Sequence, residues 1–162
     1  MPDHLRLDGL GDLLPARRSW WGYLWAGPNS LIGLAGALTT RGRPVRWRGV
    51  LLYEDASGGL ARFLRWRGFT AITLGHVIVA NARLGDEVLA HELAHVAQHE
   101  RWGPLYYPAY LVASVLGYRR NPFERAAARK AAATLAAQRL PPRGGEPTDA
   151  HLLPGRTGRT RR

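Results

Sequence analysis

The 162-residue chain has a formal net charge of +11, and its 23 basic residues are all arginine except Lys130. It contains no cysteine, which excludes disulfides and thiolate metal sites; any transition metal must be held by His, Asp or Glu, a donor set typical of catalytic rather than structural zinc centres. The length suits one domain that buries roughly 70% of the surface of its unfolded chain.

The positive charge has two readings. One is attraction to nucleic acid or anionic lipid. The other is the arginine bias of a GC-rich genome, which the abundant Ala, Gly and Pro also fit. No zinc-finger spacing, RNA-binding aromatic motif or helix-turn-helix pattern stands out, so the second is favoured and nucleic acid is not expected as a partner.

Residues 1–18 mix three Asp with three Arg and read as a loose lead-in. Residues 19–40 carry no charge and are flanked by Arg17-Arg18 and by Arg41 and Arg43. The run matches the ~20 apolar residues that cross a bilayer, and Trp20, Trp21, Tyr23 and Trp25 crowd one end like an interfacial aromatic belt. Gly27-Pro28-Asn29-Ser30 breaks it with a turn or helix-start signal. A membrane-dipping or interfacial hairpin and a buried core segment are both open, and contact with an anionic membrane is one expectation. No basic start leads directly into the apolar run and no small-residue cleavage site follows it, so a cytoplasmic or membrane-associated protein is expected rather than a secreted one.

Residues 41–139 form the expected domain. Residues 45–53 and 60–67 read as two strands joined by a turn at 54–59, with Val45, Trp47, Leu51 and Tyr53 on one face of the first. Ala71 to Ala80 is β-branched and apolar and reads as a third, well-covered strand. A helix follows from about Asp86 to Trp102, acidic in its first turn and stopped by Gly103-Pro104. Leu105 to Gly117 reads as a short apolar helix. Asn121-Pro122 opens a last helix reaching about Arg139, and residues 140–162 read as a disordered basic tail. The expected fold class is α+β: a small twisted sheet of about three strands packed on the motif helix, with two further helices.

The chemistry lies in His91-Glu92-Leu93-Ala94-His95. Positions i and i+4 share a helix face about 6 Å apart, so two imidazoles can converge on one cation. Glu92, one position on, can hold a water beside the metal without ligating it and act as general base. A third protein ligand is required. His99 continues the i+4 series, but i to i+8 is about 12 Å along a straight helix, which leaves His99 as a surface or supporting residue. Glu124, on the last helix, is the better candidate. It has a competing role: with Asn121 as N-cap and Pro122 first in the helix, Glu124 occupies the capping-box position and needs no metal for that. His76 lies on the expected third strand and can face the cleft or be structural. Tyr106, Tyr107 and Tyr110 can donate to a developing oxyanion or pack as core aromatics.

HELAHVAQHERWGPLYYPAYLVAS followed by NPFERAA resembles a group of small uncharacterised bacterial proteins with a zincin-like motif, which carry His-Glu-x-x-His, then Arg-Trp-Gly-Pro, an apolar helix and Asn-Pro-Phe-Glu. The likeness runs from Thr73 to about Ala128. More broadly the chain resembles a minimal gluzincin. The resemblance implies one Zn2+ on His91, His95 and Glu124, Glu92 as general base, a peptide or protein substrate, and a strand edge on Ala71 to Ala80 for that substrate. Many gluzincins place an acid four residues after the ligand glutamate to orient a ligand histidine. Here that residue is Ala128, so orientation must come from elsewhere.

Overall fold

The computed structural model describes residues 10, 13, 14, 20–115 and 117–139. Helix α1 (Trp20–Leu38) comes first. Strands β1 (Val45–Trp47) and β2 (Val50–Tyr53) follow, then α2 (Gly59–Trp66), β3 (Ala71–Leu74) and β4 (Val77–Ala80). Helices α3 (Asp86–Trp102), α4 (Tyr106–Ser114) and α5 (Pro122–Arg139) complete the order, with short 3-10 turns at Gly103–Leu105 and Tyr118–Arg120. The α+β class holds, with four strands among the described residues in the order β1-β2-β4-β3.

The extra strand comes from tight turns inside runs that read as continuous. β1 and β2 are an antiparallel hairpin pairing Val45 with Leu52 and Trp47 with Val50. Its two-residue turn, Arg48-Gly49, has both residues at positive φ (44° and 74°), the twist that closes a two-residue hairpin. Those two residues shift the alternation, so Trp47, Val50 and Leu52 share the buried face while Leu51 and Tyr53 face the other layer. The expected grouping of Leu51 and Tyr53 with Val45 and Trp47 is thereby corrected. Ala71 to Ala80 is likewise a hairpin, turning at Gly75-His76. Gly75 sits at φ 64°, and a Cβ there would lie 2.4 Å from the Ser30 backbone nitrogen. β4 pairs in parallel with β2 and is buried along its whole length.

Residues 60–67, expected as a strand, are helical as far as Trp66. The alternation of Leu64 and Trp66 with Arg65 and Arg67 competed with a 3-residue spacing of Ala61 and Leu64, and the fold uses the latter. Both are buried beside Val77 and Val79 on one sheet face, joined by Ala37 of α1. The opposite face carries α3 and α5 through Leu89, Leu93, Val96 and Ala131. Leu10, Leu13 and Leu14 enter that same core, so the lead-in is anchored at these positions; the rest of residues 1–18 and the expected tail at 140–162 lie outside the described residues.

α1 is one helix through Pro28, not a hairpin, and no helix among the described residues is long and apolar enough to cross a membrane. The polar residues read as a turn signal have tertiary partners instead. Asn29 is buried and donates through Nδ2 to Gly103 O (2.7 Å), with His99 Nδ1 at 3.0 Å. α1 comes so close to the sheet that a Cβ on Gly33 would lie 2.5 Å from Leu74 O. Gly33→Ala is therefore expected to push α1 off β3 and β4 and destabilise the fold by about 1–3 kcal/mol, as overpacking does. A denaturant midpoint equal to that of the wild type would show that the helix has room to move.

Candidate metal centre

α3 places His91 and His95 one turn apart on the face turned toward α5. Their Nε2 atoms are 3.0 Å apart. Glu124 reaches both: Oε2 is 3.1 Å from His91 Nε2, and Oε1 is 3.5 Å from His95 Nε2. Three protein ligands around a tetrahedral zinc with bonds of ~2.0–2.1 Å would stand about 3.3 Å apart. The observed separations bracket that value. Two imidazole nitrogens and one carboxylate oxygen, held this close, can hold a metal ion.

The rival role of Glu124 as a capping glutamate is answered by where the hydrogen bonds go. Asn121 Oδ1 accepts from the Phe123 N–H (2.9 Å) and caps the helix alone. The Asn121 N–H, which a capping-box carboxylate would take, is donated to Gly117 O and Tyr118 O. Glu124 is left to face the histidines and to accept from the Tyr110 hydroxyl at 2.6 Å. Burial pushes its carboxyl up, but the hydrogen bonds from His91, His95 and Tyr110 outweigh that and hold it well below the usual carboxylate range. Burial likewise pushes His95 down, and hydrogen bonding to Glu124 with the charges of Glu92 and Glu124 outweighs it, leaving His95 above 6.5.

Orientation of His95 comes from residues that no motif flags. Gln98 donates through Nε2 to the Phe123 carbonyl (2.9 Å). A carbonyl only accepts, so the amide oxygen is the atom turned to His95 Nδ1, 3.0 Å away. In the neutral imidazole that could ligate a metal, Nδ1 then carries the proton, with the Tyr106 hydroxyl also at 3.0 Å, and the lone pair falls on Nε2, where the other ligands converge. Gln98 and Tyr106 thus hold the His95 ring in one orientation. Gln98 also joins the helix bearing the histidines to the residue before Glu124.

Glu92 is buried and its side chain turns to β3, where the Thr73 hydroxyl donates to Oε2 at 2.6 Å. His91, Glu92, His95, Tyr110 and Glu124 line one cavity of about 220 Å³, whose wall includes Ala71 and Ile72 of β3. Tyr118 also lines it; the sequence offered no spacing that ties it to the histidines.

Of the remaining candidates, Tyr107 lines the same cavity, whereas His99 and His76 lie outside its lining. His99 is fully buried rather than at the surface. Burial drives its imidazole down to about 3, so it is neutral, with Nε2 directed at Thr73 O (3.3 Å) and its ring on Tyr106. Tyr107 donates to the same Thr73 carbonyl at 3.2 Å. His76 lies in the β3–β4 turn, outside the residues lining the cavity. It meets Ser30 of α1 at 2.8 Å through Nδ1 and Glu100 of α3 at 3.0 Å through Nε2, which makes it a tie between the turn and two helices.

A family model described as the eCIS core domain matches residues 53–103, just under a third of the chain. The matched stretch contains His91, Glu92 and His95 but ends before Glu124. No curated protein and no solved structure matches the chain.

Proposed function

We propose that the chain is a zinc-dependent peptidase that hydrolyses peptide bonds with Glu92 as general base. The observation that carries this reading is the convergence of His91, His95 and Glu124 in a cavity that also holds a carboxylate outside the ligand set. Zinc suits the donors: two imidazoles and one carboxylate, with no thiolate available. Bound zinc supplies an electrophile that polarises a scissile carbonyl and acidifies water.

The protein's own groups do the rest. The Thr73 hydroxyl holds the Glu92 carboxylate in one orientation; Glu92 takes the proton of the attacking water and passes it to the leaving amine. Tyr110, kept protonated chiefly by burial, orients Glu124. β3 is an edge strand whose residues form a cavity wall, and an extended peptide pairing with it would lie across the site. The eCIS core domain match supports a link with contractile injection systems.

The test is elemental analysis of the purified full chain together with cleavage of a mixed peptide library, with and without chelator. One zinc per chain and chelator-sensitive cleavage are expected. A protein that stays metal-free after zinc addition would overturn the reading; one that holds zinc but cleaves nothing would favour a catalytically inactive zinc-binding relative.

Two smaller effects follow from the same geometry. Gln98→Leu removes one of the two groups at His95 Nδ1 and leaves Tyr106, so zinc affinity is expected to fall by about tenfold, the low end for such supporting residues; a competing chromophoric chelator reads it. Both imidazoles must also be neutral to ligate. Because metal-free His95 sits above 6.5, protons compete more strongly than at a free imidazole. Zinc affinity is expected to keep rising with pH beyond 6.5 instead of levelling there, and titration of affinity across neutral pH checks this.

A further inference from the structure

α1 is built with its small residues inside. The arc packed on the domain holds Gly22, Ala26, Asn29, Gly33, Gly36 and Ala37, all buried or half-buried. The outward arc holds Trp20, Leu24, Leu31, Ile32 and Leu38, which are 56–78% exposed, and Trp25 borders it with its indole over Gly103. A surface helix of a globular protein normally has the reverse arrangement. The close approach at Gly33 explains the inner arc, since larger side chains would not fit there. It does not explain the outer one, where no position between Ser19 and Thr40 bears a charge. A contiguous apolar helix face of this kind marks an interaction surface rather than ordinary scattered exposure.

Three observations select the occupant. The aromatic residues all occupy the first half of the helix (Trp20, Trp21, Tyr23, Trp25), and the exposed aliphatic ones other than Leu24 occupy the second (Leu31, Ile32, Leu34, Leu38); tryptophan and tyrosine favour the headgroup level of a bilayer. Exposed Arg41 and Arg43 follow the helix directly, in a chain of formal net charge +11, which complements anionic headgroups. Finally, the helix is not apolar enough to cross a membrane, and one arc is committed to the sheet, so only its outer side is available to lipid. In an ordinary interfacial helix the second face is polar and wet; here the protein body takes that place.

We propose that the outward arc of α1 seats this domain on an anionic lipid surface, with the helix lying in the interfacial plane. The inference is independent of the metal-site reading, because none of its residues belongs to that site.

Flotation of the full chain with vesicles tests it, using phosphatidylcholine alone and an equimolar mixture with phosphatidylglycerol. The wild type is expected to float with the anionic vesicles, at least about tenfold more than with phosphatidylcholine, and to lose binding as salt is raised. Leu24→Glu with Leu31→Glu, both exposed, is expected to reduce binding by at least about tenfold while metal content stays unchanged. Arg41→Gln with Arg43→Gln keeps the apolar arc and should weaken the preference for anionic lipid; it also decides the matter if the glutamate variant does not fold. No flotation of the wild type, equal binding to both vesicles, or undiminished binding by both variants would overturn the proposal. So would self-association that the glutamate pair abolishes in a protein that ignores vesicles, which would assign the face to a second copy of the chain.

Discussion

Alanine at Glu124 is expected to strip the metal from the protein. Glu124 is the only carboxylate among the three converging ligands, and it touches both histidines, at 3.1 and 3.5 Å. Without it, two neutral imidazoles remain as protein ligands, one short of what a catalytic zinc site needs. The loss in affinity should exceed the ~10–100-fold that supporting residues cost, and metal content after dialysis against a weak chelator reads it directly. The metal-free protein should also lose about 1–3 kcal/mol, because Tyr110 and the two histidines lose a buried acceptor. Asn121→Ala provides the contrast. It removes the cap that serves Phe123 and the amide's bonds to Ser114 Oγ and Tyr110 O, and should cost about 1–3 kcal/mol of stability while leaving the ligands in the protein. If Glu124→Ala retained its zinc and Asn121→Ala released it, the carboxylate would be a capping group and the metal centre would have to be rebuilt on other residues.

The second large effect concerns turnover alone. Glu92→Gln is expected to keep the metal and lower peptide hydrolysis by about 10²–10⁴-fold, the usual contribution of a positioned general base. The separation is structural. Glu92 lies outside the three-ligand cluster, and its Oε2 accepts from Thr73 at 2.6 Å. A glutamine of nearly the same shape can still accept that hydrogen bond through its amide oxygen, so the cavity wall and α3 should be undisturbed. What disappears is a carboxylate able to take a proton. Zinc content and cleavage rate measured on the same preparation distinguish the cases: loss of zinc would make Glu92 a structural or ligand residue, and an unchanged rate would remove it from the reaction.

The parts of the molecule legible in advance are those whose information is local. Two histidines four positions apart on a helix share a face whatever surrounds them, and Asp86 to Trp102 announces itself by its acidic start and its Gly-Pro stop. Glu124 was identifiable as a candidate only by type and position. Capping and ligation use the same residue at the same place in a helix, and only the route of the Asn121 N–H, donated to Gly117 and Tyr118, separates them. The errors share a cause. Leu60 to Arg67 supports both an alternating and a helical pattern, and the choice was made by the packing of Ala61 and Leu64 with Val77 and Val79 of β4 and Ala37 of α1. The Gly27-Pro28-Asn29-Ser30 signal for a turn was overridden because Asn29 and Ser30 find buried partners in His99, Gly103 and His76, which compensates a helix for carrying proline.

By itself, the sequence determined the donor chemistry available to a metal, the spacing of the histidine pair, and an uncharged apolar segment beside a strongly basic chain. These follow from residue types and from the pitch of a helix. Tertiary structure decided that Glu124 faces the histidines, that Gln98 fixes the protonation of His95 through the Phe123 carbonyl, and that α1 keeps its bulky residues outside. Each of these depends on groups distant along the chain meeting within about 3 Å, a range at which hydrogen-bond direction and steric contact act and which no local pattern encodes.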